Sequence, residues 1–196
     1  MNSKYTMLID LDSCSGCHAC SVACKAEHQV PIGKNRHTVQ YVENGEFPHV
    51  TRNFIPTLCQ HCTDAPCMEV CAVSAITIKE SGAIVIDQEQ CIGTSACVDA
   101  CPYGAIYMDP TSFKAMKCDF CESRVEGGEL PACAATCPTD AIQFAFEDDP
   151  KIQQALEKGK YTRWEPESTQ PRVWYKGLDH QTESKLKRIN HLREEK

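Results

Sequence analysis

"CSGCHACSVAC", residues 14–24, sets Cys14, Cys17, Cys20 and Cys24 in the pattern C-x2-C-x2-C-x3-C. The reading of that spacing decides what kind of chain this is, and three further groups bear on it. Residues 59–71 carry C-x2-C-x4-C-x3-C through Cys59, Cys62, Cys67 and Cys71. Residues 91–101, "CIGTSACVDAC", supply Cys91, Cys97 and Cys101, with Thr94 where a cysteine would complete the first pattern. Residues 118–137 carry C-x2-C-x11-C-x3-C through Cys118, Cys121, Cys133 and Cys137. All 15 cysteines of the 196-residue chain lie in these four runs, and each run closes with C-x3-C.

Disulfides, zinc and iron–sulfur clusters compete to explain such a count. The odd number and the chelate-like density of residues 14–24 speak against disulfides. The opening "MNSKYTMLID" has no basic region, long apolar core or twin arginine, so no secretory signal is visible. Zinc wants four ligands in a tetrahedron, often as two C-x2-C pairs. The fourth run alone fits that, but the first and third are too regular and too dense, and the shared C-x3-C closure has no zinc rationale. On a tight loop, three thiolates hold three irons of a cubane while the cysteine after the loop points away, to a second cluster. The proline that commonly follows it stands at Pro102 and Pro138. The chain therefore reads as a ferredoxin unit repeated, four runs making two cluster pairs, with nested and tandem pairing both open.

Short apolar segments follow three of the runs: "SAITI" (74–78), "GAIYM" (104–108) and "DAIQF" (140–144), each read as a strand. "ITIKESGAIVID" (76–87) reads as a hairpin about Ser81-Gly82. The predicted fold is α+β: tandem bacterial-ferredoxin-like units, loop-rich, with short hairpins and helices organised around clusters. Residues 1–146 form the cluster domain and 147–196 a helix–strand–helix tail that is a candidate for partner docking. In that tail "EDDPKIQQALEKGK" (147–160) predicts a helix with Asp148 or Asp149 as N-cap and Pro150 in its first turn. "PRVWYKG" (171–177) predicts a strand, and "TESKLKRINHLREEK" (182–196) a charged helix with Leu186, Ile189 and Leu192 on one side. The stretch from Glu27 to Pro56 has no cysteine and reads as an excursion that covers clusters or meets a partner.

The formal charge of −7 argues against nucleic acid, which would show a basic face. No stretch approaches the ~18 apolar residues of a membrane helix. No dinucleotide fingerprint, P-loop or nucleophile–base pair is present. Sulfur-ligated clusters leave no open position for a substrate, so the chemistry left is one-electron transfer. His18 and His61, inside the runs, read as surface loop residues, and Lys25, Lys117 and Arg124 either as cations able to offset cluster charge or as ordinary solvated side chains. Fifteen cysteines leave one cluster a thiolate short under either pairing. A threonine hydroxyl is a poor iron ligand, so the third run predicts a 3Fe–4S cluster, ahead of a labile 4Fe–4S cluster with Thr94 at its corner.

The stretches "MLIDLDSCSGCHACSVACKAEHQVP", "FIPTLCQHCTDAPCMEVC", "CIGTSACVDACPYGAI" and "MKCDFCESRVEGGELPACAATCPTDAI" cover most of residues 6–143. In order and spacing they resemble the four-cluster ferredoxin-type electron-transfer (beta) subunits of molybdopterin oxidoreductases. Those subunits serve dimethyl sulfoxide, polysulfide, thiosulfate, arsenate and nitrate reductases. The resemblance implies nested pairing: one 4Fe–4S cluster on Cys14, Cys17, Cys20 and Cys137, and a second on Cys118, Cys121, Cys133 and Cys24. A third would use Cys59, Cys62, Cys67 and Cys101, and Cys91, Cys97 and Cys71 would hold the fourth. It also implies a non-catalytic subunit with two partners, a molybdopterin catalytic subunit and a membrane quinol-handling subunit or cytochrome. The complex would sit peripherally on the cytoplasmic membrane, its periplasmic side reached by co-export with a catalytic subunit. Departures from the pattern are Ala72 where proline is common, which predicts an altered turn, Thr94, and short connections between the runs. A zinc-stabilised scaffold without electron transfer is the alternative of a different class, and an enzyme acting at the open corner beside Thr94 is a weaker one.

Overall fold

The computed structural model describes residues 3–159, 161–165 and 168–191. Its organising strand is the first, β1 (Tyr5–Asp10), which is buried over nearly its whole length, Met7, Leu8 and Ile9 being fully so. β1 leads directly into the first cysteine run and on to α1 (Ala19–His28). Far along the chain, β8 (Ile142–Phe146) leaves the fourth run and pairs antiparallel with β1, Ile9 opposite Ile142 and Tyr5 opposite Phe146. The strand of the tail, β10 (Val173–Lys176), pairs parallel with the other edge of β1. With β9 (Tyr161–Thr162) the sheet reads β8-β1-β10-β9. A strand flanked on both edges and buried on both faces reads as an apolar run rather than an alternating one, as "YTMLI" does.

Three antiparallel ribbons complete the strands. β2 (His37–Glu46) and β3 (His49–Leu58) form the longest, Val39, Val42, Ile55 and Leu58 turned inward and Phe47 at the exposed tip. It is the cysteine-free excursion, and it covers the first run: a Cβ on Gly16 would stand 2.4 Å from the Phe54 ring, so only glycine fits under it. β4 (Ile76–Ile78) and β5 (Ile84–Ile86) make the expected hairpin, with Gly82 at φ 80° in its loop. This short link holds the second and third runs together. β6 (Tyr107–Met108) pairs with β7 (Ala115–Met116). The remaining helices are short: α2 (Pro66–Glu69), α3 (Ala96–Ala100), α4 (Glu122–Glu126) and α5 (Ala132–Ala135), with α1 against α5 and α2 against α3. At one or two turns these stand only through packing, since isolated helices below ~12 residues are marginal.

The tail begins as expected. α6 (Pro150–Gly159) has Pro150 first, and the Asp149 carboxylate accepts the Lys151 amide at 2.8 Å. The continuous helix expected over 182–196 does not form. α7 (His180–Glu183) stops after one turn, residues 184–188 are irregular, and a 3-10 turn spans Ile189–His191; Leu192 lies outside the described residues. Tertiary bonds displace the helical ones. Gln40 accepts the Lys187 amide at 2.9 Å and donates to the Lys187 carbonyl at 2.8 Å. The Ile189 amide donates to Tyr103 at 2.8 Å, and Ile189 is buried against the turn that follows the third run. A propensity-based reading has no access to such partners.

Candidate metal centres

The four cysteine loops share one backbone device. The second residue after the first cysteine of each run has positive φ: Gly16 (69°), His61 (47°), Gly93 (73°) and Phe120 (60°). That reversal turns the chain sharply between the first two cysteines of each run. It costs glycine little, but a bulky residue in this region gives up about 1–2 kcal/mol. His61 and Phe120 accept that strain and stack on each other, ring centroids 3.5 Å apart, joining the second run to the fourth.

The cysteine that closes each of the last three runs sits in a second repeated turn, whereas Cys24 lies within α1. The carbonyls of Cys71, Cys101 and Cys137 accept from the amides of Ser74, Gly104 and Asp140, all three at positive φ (51°, 58° and 51°). Ala75, Ala105 and Ala141 follow, each essentially buried, and the Ala75 and Ala105 amides point at Cys71 Sγ (3.2 Å) and Cys101 Sγ (3.5 Å). The turn at Ala72 therefore matches those at Pro102 and Pro138, against the expectation of a change. The left-handed residue three positions after the cysteine fixes it, not the proline.

No cysteine forms a disulfide. Burial pushes the Cys20 thiol up to about 11 and those of Cys24 and Cys62 to about 12, while Cys67, Cys118 and Cys133 also stand well above the usual thiol range. Burial is the first cause in each, and the charges of neighbouring cysteines add to it. Such sulfurs become thiolates only when a cation sits among them, which is what a metal cluster supplies. The neighbours fall into four gatherings. Cys14 feels Cys137 and Cys17, and Cys20 feels Cys14 and Cys137. Cys24, Cys118, Cys121 and Cys133 act on one another. Cys62 and Cys67 both feel Cys59 and Cys101, and Cys97 feels Cys91 and Cys71. Neighbouring gatherings also influence one another: Cys20 acts on Cys24 and Cys133, Cys59 on Cys118, and Cys101 on Cys97.

The two inner gatherings consist wholly of buried cysteines, whereas the outer two reach the surface through Cys17 at one end and half-buried Cys71 and Cys91 at the other. At that second end Cys71, Cys91, Cys97 and Thr94 line one pocket, with Thr94 exposed to solvent.

Other residues are placed differently from expectation. His61 is fully buried rather than on the surface; Nδ1 accepts the Ile84 amide at 3.0 Å, and Nε2 has no partner among the described residues. Burial, then the charges of Lys117 and Arg172, hold it well below the usual histidine range, so it is neutral. His18 is half-buried and hydrogen-bonds Tyr41. His28, which the sequence did not single out, brings Nε2 to 3.2 Å from Cys121 Sγ and 3.8 Å from Asp119. Lys25 donates to the Pro31 and Lys34 carbonyls, and Arg124 pairs with Glu27 (3.0 Å) and Glu129 (2.7 Å).

A family model described as a 4Fe-4S dicluster domain matches residues 50–147, half of the chain. The chain belongs to the 4Fe-4S dicluster family. As a member of it, this is a ferredoxin-like iron–sulfur electron-transfer protein, and the zinc reading is set aside. It is 40% identical to a tetrathionate reductase subunit of Salmonella typhimurium over 183 residues, 90% of this chain and 73% of that one. It is 40% identical to the thiosulfate reductase electron transfer subunit PhsB of Salmonella typhi over 157 residues, 79% of this chain and 82% of the relative. Protein NrfC of Escherichia coli is 40% identical over 158 residues, 78% of this chain and 71% of NrfC. Among the described residues of this dicluster-family chain no helix is long and apolar enough to cross a membrane.

Proposed function

We propose that the protein relays electrons through four clusters in a row between two partners of a reductase complex, a molybdopterin catalytic subunit and a membrane quinol-handling subunit or cytochrome. When bound, such clusters supply one-electron transfer. The observation that carries the reading is the burial of the cysteines: all eight in the two inner sets are buried, while Cys17 on one side and Cys71 and Cys91 on the other lie nearer the surface. Electrons have to enter and leave where the surface is near, and the interior has to keep water off the sulfurs. The protein's part is to fix the ligands, exclude solvent and set the local charge.

The ligand sets proposed are Cys14, Cys17, Cys20 and Cys137; Cys24, Cys118, Cys121 and Cys133; Cys59, Cys62, Cys67 and Cys101; and Cys71, Cys91 and Cys97, the last a 3Fe–4S cluster. Support comes from the neighbour relations and from β1 pairing with β8, which draws the first run to the fourth. A cysteine variant tests the assignment. Cys24→Ala is expected to open Cys118, Cys121 and Cys133 to alkylation, read by peptide mass spectrometry, while Cys14, Cys17 and Cys20 stay protected. Tandem pairing of the first two runs predicts that Cys59, Cys62 and Cys67 open instead.

The reductase reading draws on the relatives, whose names place them with tetrathionate and thiosulfate reductases. Residues 147–196 are the proposed docking segment, and the complex is proposed to lie at the cytoplasmic membrane on its periplasmic side. Anaerobic affinity purification from the native host is expected to bring down a molybdenum-containing subunit in about one-to-one ratio. A preparation rich in iron and free of molybdenum contradicts that partner.

A further inference from the structure

We infer that Lys117 is a fixed positive charge set between the two inner thiolate gatherings, making the clusters held there easier to reduce. The inference rests on the four-cluster reading above. Lys117 follows β7 and immediately precedes Cys118, and it is 3% exposed. Its Nζ donates to the Ile84 carbonyl and, at 2.7 Å, to the Cys118 carbonyl. Ile84 is itself pinned, because its amide donates to His61 Nδ1 at 3.0 Å. Among the described residues no carboxylate lies within ion-pair distance of this ammonium. Other buried cations nearby do have one: Arg36 meets Asp119 at 3.0 Å and Arg172 meets Glu147 at 2.9 Å.

A buried charge without a counter-charge is among the costliest features a fold can carry. Two carbonyls satisfy the hydrogen bonds of Lys117 but leave its charge uncancelled. Beyond ion-pair distance, Glu122 lines the same pocket and feels its charge; the sulfurs it acts on are Cys118, its neighbour in sequence, and Cys67 of the other inner gathering. His61, stacked between the same two runs, is neutral and does not compete. The lysine is thus compensated when the inner clusters are in place, and each added electron is compensated best. Charge near a cluster is one of the terms that set its potential.

EPR-monitored redox titration of the anaerobic holoprotein tests this with K117M and K117R. In K117M the two inner potentials, identified as those also displaced in C67S and C118S, are expected to fall. The fall is a change of about tenfold or more in the reduced-to-oxidised ratio at fixed potential, ~59 mV for a one-electron couple. The outer potentials move less, and K117R stays near wild type. Unmoved inner potentials in fully loaded K117M overturn the proposal, as does K117R displaced as far as K117M, which would mean packing rather than charge. If K117M does not load its inner clusters, K117R decides: loaded with wild-type potentials supports the role of the charge, and unloaded overturns it. Iron and sulfide in the wild-type protein are measured first, so a failure of the four-cluster reading shows separately.

Discussion

Removing the iron abolishes the cooperative unfolding of the protein. Fifteen cysteines stand where a domain of this size would carry aliphatic side chains, and ten of them are buried. Residues 14–24, 59–71, 91–101 and 118–137 are joined by helices of one or two turns apart from α1, and such pieces do not persist without a centre to pack on. Without cations the buried sulfurs also have to stay protonated and then repack as small apolar groups around the space a cluster would fill. Metal binding free energy is in such proteins folding free energy. Apoprotein made by anaerobic chelation is therefore expected to fall below the ~5 kcal/mol at the lower end of ordinary domain stability. Far-UV circular dichroism during heating checks this: the holoprotein shows a sharp transition and the apoprotein a shallow, non-cooperative slope. An apoprotein that melts as sharply as the holoprotein would mean that the sheet around β1 carries the fold by itself.

Thr94→Cys converts the fourth site. Loops one and three share two positive-φ positions: Gly16 and Gly93 at φ 69° and 73°, then His18 and Ser95 both at 61°. Thr94 thus occupies the place of Cys17, and both side chains are exposed. A thiolate there meets the open corner of the cluster with no change of backbone, and thiolate is the ligand type that holds iron in these cages. The variant is expected to gain about one iron per chain and to lose the oxidised three-iron EPR signal of the wild type. Absence of that signal in wild type, together with unchanged iron in the variant, overturns the three-iron assignment.

Much of the fold could be read from the chain, for a reason that differs by segment. Cysteine spacing is a local constraint, so the four loops and the β4–β5 hairpin were legible from adjacent residues. β1 was not, since its two partners lie more than a hundred residues away and its apolar run fits several roles. The excursion between Glu27 and Pro56 announced itself only by lacking cysteines; its pairing register follows from closure over the Phe47–Pro48 tip. The helix predicted over 182–196 failed because Gln40 and Tyr103 bind backbone groups that a helix would have used. At the metal centres the ligand type was plain, while burial was not: His61 sits in a run that reads as a polar loop and is one of the most enclosed side chains. Lys117 stood out only as the neighbour of Cys118; its bond to the Ile84 carbonyl and the approach of His28 to Cys121 join residues far apart in the chain, which no local pattern reports.

Inorganic content per chain of anaerobically purified protein tests the central claim most directly. Three four-iron clusters and one three-iron cluster require about 15 iron atoms and about 16 acid-labile sulfides. Stoichiometric zinc with neither iron nor sulfide would contradict the account.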